Sequence, residues 1–281
     1  MEIKQLSTTE RIIRIIALVF ITMLAVTSIL PLYWMITGSF KIQMSAMSFP
    51  PEWFPKSPTL ENYQNLFLDK PTFRWLFNSI FIATCVSFGA IITSTMAGYA
   101  FGKKDFPGKS FLFWLMLGTM MLPHQVLLIP LFLMIVDLNL NNTYAGYILP
   151  YIAYPLGVFL IKQYMQSVPN ELLEAARIDG ASELLTFRTV VVPLAKPAIG
   201  AIGIFAFILG WNDYLWQLVV ADAEKMLTLP VAVSRLSQGL LSTNYGLSMA
   251  GATIAFIPML IFFLVFQRFF VKGISVGALK G

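Results

Sequence analysis

Residues Trp75–Gly102 read WLFNSIFIATCVSFGAIITSTMAGYAFG, without a single Asp, Glu, Lys or Arg. A helix needs about 20 mostly apolar residues to cross the hydrocarbon of a bilayer, and this run exceeds that length. Five further stretches share its character: 15–37, 110–136, 143–165, 198–221 and 245–271. The fifth of the six contains one acid, Asp213. The whole chain is 57% hydrophobic and 12% charged, whereas soluble domains carry roughly 25% charge. Too little charge remains to cover a water-facing surface, and a lipid solvent removes that requirement. These features predict an all-α integral membrane protein, with one transmembrane domain over residues 1–281 and six spanning helices.

Arg11 and Arg14 before the first stretch resemble a secretory signal. The stretch is longer than a typical signal core and ends in Tyr33-Trp34 without a small-residue cleavage site, so it reads as a retained helix with an interfacial aromatic pair. With the N-terminus inside, 13 of the 19 Lys and Arg residues fall on the cytoplasmic side. The positive-inside tendency therefore predicts both termini in the cytoplasm. The net charge of +5 is spread between apolar runs and forms no stripe suited to nucleic acid. Cys85 is the only cysteine and His124 the only histidine, which excludes an internal disulfide and thiolate-rich or histidine-paired metal sites.

Gly98 and Gly102 share one face of the second helix, a spacing that lets membrane helices approach closely. Two connections are long. The outer one, 39–72, contains five prolines and the aromatic residues Phe49, Trp53, Phe54, Tyr63 and Phe67, suited to an interface or to covering the outer mouth. The inner one, 166–197, contains SVPNELLEAARIDGASELLTFRTVVVPLAKP. Pro169 and Asn170 suit a helix start, and Glu171 and Glu174 suit the dipole of its early turns. Gly180 stands where a left-handed stop is required. Ser182 can cap a second helix, expected to end before Pro193. A helix–Gly–helix elbow of this kind can dock on a soluble partner.

This loop resembles the EAA loop of ABC-importer permeases. The family pattern runs Glu-Ala-Ala, three residues, Gly, nine residues, Ile-x-Leu-Pro. Here Glu174, Ala175, Ala176 and Gly180 are followed at the same spacing by Val190-x-Val192-Pro193. Thr59–Tyr63, Asn78-Ser79, Gly98-Tyr99-Ala100, Met121-Leu122-Pro123, Pro130, Trp211–Leu215 and Gly277–Gly281 are similar to the carbohydrate permeases of the maltose and glycerol-phosphate type. The resemblance implies a six-helix type I importer permease with a cytoplasmic coupling helix, in a bacterial or archaeal inner membrane. It implies ATPase coupling through Glu174, Ala175, Ala176, Asp179, Gly180 and Pro193. It further implies a second permease as a heterodimer partner, two ATPase subunits that carry ATP and Mg, and an extracytoplasmic solute-binding protein. No cofactor is expected on this chain.

Other readings compete at particular residues. Gly108-Lys109-Ser110 fails the phosphate-loop spacing, because Lys103 occupies the position five before Gly108. His124 and Gln125 beside Pro123 are candidates for a substrate path or for bonding between helices. Trp211, Asn212, Asp213 and Tyr214 carry the same two readings, with sugar stacking set against an interfacial belt. A secondary transporter with Asp213 as its coupling carboxylate would typically show an internal repeat, and none is evident. A membrane hydrolase would require paired acids or a histidine–nucleophile pair, which nothing here supplies.

Overall fold

The computed structural model describes residues 8–42, 48–236 and 244–278, with the side chains of the last helix as far as Gln267. Leu279–Gly281, part of the terminal run compared above, lie outside the described residues. Among the described residues, five helical runs are long and apolar enough to cross a membrane. A sixth arises if one sharply bent helix pair counts as a span. The chain divides into two compact units: Met1–Lys70 with Val233–Ile254, and Pro71–Ala232 with Ala255–Gly281.

In the first unit, α1 (Thr8–Gly38) is exposed over most of its length. Its far end is tied to the proline-rich segment and to α2 (Glu61–Leu68). The Tyr33 hydroxyl donates to the Trp53 carbonyl at 2.8 Å, and Trp34 meets Trp53 edge-on. Asn62 donates to the carbonyls of Ser39 and Lys41. Lys41 is buried, lies 4.3 Å from the Trp34 ring centroid and donates to the Glu52 carbonyl. The outer aromatics Trp53, Phe54 and Tyr63 therefore pack on the end of α1, while Phe49 stays exposed.

The second unit is built around α3 (Thr72–Lys103). The chain continues through α4 (Lys109–Thr119), α5 (His124–Asp137), α6 (Tyr144–Ile152) and α7 (Pro155–Gln166). A Cβ added at Gly98 would lie 2.5 Å from Ile161 Cβ, and one at Gly102 would lie 2.7 Å from Met165 Cβ. The two glycines therefore let α3 and α7 meet backbone to side chain, as their spacing predicts.

Three expected spans are broken. Residues 110–136 form α4 and α5, bent by 100°, because Pro123 lacks an N–H and disfavours helix at the residue before it. Residues 143–165 form α6 and α7, interrupted at Ala153-Tyr154 ahead of Pro155. The Ile152 carbonyl at the break accepts from Thr93 of α3 at 2.5 Å, and the Tyr154 carbonyl, which already accepts the Val158 N–H, takes a second bond from Ser94 of α3 at 3.3 Å. Backbone groups at membrane depth require such partners. Residues 198–221 form α10 (Val192–Asn212) and α11 (Leu215–Val220). Asp213 ends α10 in extended backbone and accepts the Trp216 N–H through Oδ1 at 3.3 Å, a local bond that competes with helix continuation. Gln217 donates to the orphaned Gly210 carbonyl at 2.9 Å. The chain then runs through α12 (Leu229–Leu236) to α13 (Tyr245–Ala278).

Candidate functional site

The inner connection contains α8 (Glu171–Ile178) and the single-turn α9 (Glu183–Thr186). Asp179 caps α8, and Gly180 follows with φ +78°. The Gly180 N–H donates to the Arg177 carbonyl at 3.0 Å and the Ala181 N–H to the Ala176 carbonyl at 2.9 Å. These two bonds make a Schellman stop, which strongly favours glycine at the left-handed position. Ser182 accepts the Leu185 N–H at 3.3 Å and starts α9.

The second helix does not stop before Pro193. A π-turn at Phe187–Val191 shifts the hydrogen-bond register, and α10 then runs through Pro193 and Pro197. The shift places Pro193 in the first turn of α10, where a missing N–H leaves nothing unsatisfied. Nor does Asn170 cap α8 through its side chain. Its Oδ1 accepts instead from Lys103 Nζ at 2.7 Å.

Leu173 anchors α8 by burial in a cluster with Tyr99, Ile161, Met165, Val191, Ala195 and Ile202. Glu174, Ala175 and Asp179 are exposed, and Ala176 is half-buried. Leu172, Ile178, Leu184 and Leu185 are exposed beside them, Ile178 at 86%. The elbow thus presents acids and large apolar side chains together on a surface held from behind.

Sequence reasoning missed the residues that hold the elbow. Tyr99 donates its hydroxyl to Glu183 Oε1 at 2.6 Å, and Lys104 pairs with the same oxygen. Arg177 approaches Glu183 Oε2 at 3.8 Å. Lys103 also donates to the Val168 carbonyl at 2.5 Å. The only sequence signal was a lysine pair after an apolar run, which fits any inner helix end.

The second group of candidates gathers where α5, α6 and α10 meet. His124 opens α5 and stacks on Tyr151 with centroids 5.3 Å apart and planes 3° from parallel. The Tyr151 hydroxyl and His124 both face the Asp213 carboxylate. Gln125 and Asn212 are exposed, and Tyr214 is half-buried. Trp211 is buried and stacks loosely on Phe207. Trp216 is buried too, donating to the Gly146 carbonyl.

Residues 94–276 match the family described as "Binding-protein-dependent transport system inner membrane component". The chain is 35% identical to the arabinooligosaccharides transport system permease protein AraQ of Bacillus subtilis, over 95% of this chain and 96% of that one. It is 34% identical to the sn-glycerol-3-phosphate transport system permease protein UgpE of Brucella abortus, over 87% and 89%. Among solved structures it resembles a chain of a bacterial ABC transporter involved in the import of the acidic polysaccharide alginate. That match has a TM-score of 0.83 at 25% identity and covers 94% of this chain and 99% of the other. The family match runs from the last third of α3 into α13 and includes the whole elbow between α7 and α10, so the chain belongs to the binding-protein-dependent transport system inner membrane components as a multi-pass permease.

Proposed function

We propose that this chain is the permease subunit of an ATP-driven ABC importer for a carbohydrate, paired with a second permease and driven through the elbow by two ATPase subunits. The observation that carries the reading is the elbow itself. Glu174, Ala175, Asp179 and the apolar side chains around them stay exposed, while Leu173 and the Schellman stop at Gly180 hold them in place. Such a surface offers a docking partner both charge and apolar area. Ala176 and Pro193 complete the set of coupling residues as supports behind it. ATP and Mg bind and react on the partner subunits. An extracytoplasmic solute-binding protein delivers the substrate. Both termini lie on the cytoplasmic side of a bacterial or archaeal inner membrane.

The carbohydrate class is supported by relatives named for arabinooligosaccharides and glycerol phosphate. The path for it involves His124, Gln125, Asn212, Asp213 and Tyr214, with Trp211 as buried backing. Hydroxyl-rich ligands suit such groups, which both donate and accept hydrogen bonds.

The test is co-expression with its genomic neighbours, followed by purification on this chain and uptake of a labelled carbohydrate panel. ATPase subunits should co-purify, and Glu174→Lys should release them while membrane levels hold. Cysteines at positions 110 and 182 should label from the cytoplasm and one at 57 from outside. Labelling of position 182 from outside, or normal uptake with Glu174→Lys, would sink the reading.

A further inference from the structure

We infer that Tyr99, Lys103 and Lys104 at the end of α3, together with Glu183, form a two-point yoke that makes α8 move as one body with α3. The inference rests on the coupling role proposed for the elbow and assigns its positioning residues. The observation is that one helix end grips the elbow on both sides of α8. Before α8, Lys103 holds the Val168 carbonyl and the Asn170 side chain. After α8, Tyr99 and Lys104 hold Glu183, and Arg177 of α8 itself adds its guanidinium to the other carboxylate oxygen. The Lys104 ammonium also lies 5.0 Å from the Tyr99 ring centroid, and that ring packs on Phe187 in the π-turn.

A helix held at one end pivots about that end. Held at both ends by neighbouring residues of a single rigid helix, it keeps its angle to that helix. Charge-assisted bonds of this kind are short and about twice as strong as neutral ones. Between the two grips, Leu173 is buried in the cluster that also contains Tyr99. A push on α8 is therefore delivered to α3, the helix at the centre of its unit, and is not absorbed within the loop.

The experiment uses the complete importer with its ATPase subunits in nanodiscs. Spin labels are placed through Asp105→Cys and Glu171→Cys, with Cys85→Ser. In the wild-type background the inter-label distance should be narrow and the same with and without ATP–Mg. Glu183→Ala, Tyr99→Phe and Lys103→Met should each broaden or shift it when ATP–Mg is added, with ATPase subunits still bound. Glu183→Gln, which keeps an acceptor for Tyr99, should restore part of the wild-type distribution. A wild-type distance that changes with ATP as much as the variants do would overturn the yoke, as would variants identical to wild type. Release of the ATPase subunits by Glu183→Ala would also overturn it, by making Glu183 a docking residue. Failure of the ATPase subunits to bind the wild-type chain would instead strike at the coupling role itself.

Discussion

The two ends of α3 are fixed by opposite chemistry. At the Trp75 end, neutral side chains bond to the backbone of the segment between α11 and α12. Trp75 donates to the Glu224 carbonyl at 2.9 Å, and Asn78 to those of Lys225 and Leu227 at 2.9 and 2.8 Å. Asn78 in turn accepts from the Tyr144 hydroxyl at 2.7 Å, and Ser79 accepts the Leu229 N–H at 2.8 Å. Trp75, Asn78 and Ser79 are buried. At the Lys103 end the partners are charged and partly wet, with 25% of the Lys104 side chain and 55% of the Glu183 side chain exposed. Buried neutral bonds are expensive to lose because each orphaned group stays dry. Half-exposed ion pairs contribute little to stability, since water replaces them. One end thus holds the fold together, and the other sets the angle of the elbow while adding little to folding stability.

Stability loss and transport loss should therefore come apart between the two ends. The largest stability loss is expected for Asn78→Ala, which orphans two carbonyls and the Tyr144 hydroxyl at a cost of about 3 kcal/mol or more. Thermal unfolding of the purified protein in detergent should show it, and an unchanged midpoint would abolish the contrast between the ends. Gly180→Val comes next, at about 1–2 kcal/mol for forcing a side chain into left-handed backbone. No atom crowds a Cβ there, so its effect should be strain alone, with ATPase recovery and uptake both lost. Glu183→Ala should cost no more than about 1 kcal/mol of stability in the same thermal unfolding. Its carbohydrate uptake should nevertheless fall roughly tenfold, the equivalent of one charge-assisted bond in the coupled state. A variant that lost stability and uptake in proportion would erase the distinction. The smallest effect belongs to Asp105→Asn, which breaks the exposed pair with Lys109 beside the yoke. It should change stability by about 0.5 kcal/mol or less and leave uptake at wild-type rates.

Much of this was legible in local sequence. The apolar runs mark the membrane helices, and Gly98 and Gly102 mark a close crossing. Gly180 and Ser182 carry the stop and the cap that their residue types predict. The breaks in the spans were harder to see. Pro123 was visible, but an apolar run on both sides reads as one helix until the bend is seen. Pro193 reads as a terminator, yet a register shift just ahead of it turns the same residue into a helix start. The yoke was illegible for another reason. Tyr99 and Glu183 are 84 positions apart, and nothing local to either names its partner. Glu183 itself reads as an ordinary solvated acid on a short helix.

The break at Asp213 differs in kind from the breaks at Pro123 and Pro155. A proline interrupts a helix by its own covalent ring, whatever surrounds it. At Asp213 the interruption is held by one carboxylate oxygen on one N–H, and Gln217 seals the carbonyl left behind. A single change to a helix-favouring apolar residue would remove the competing bond and let the two segments join. The contour of this span is in that sense a point-mutable trait. Such a step would reshape the neighbourhood of His124 and Tyr151, and it would pull on the bond from Trp216 of α11 to the Gly146 carbonyl of α6.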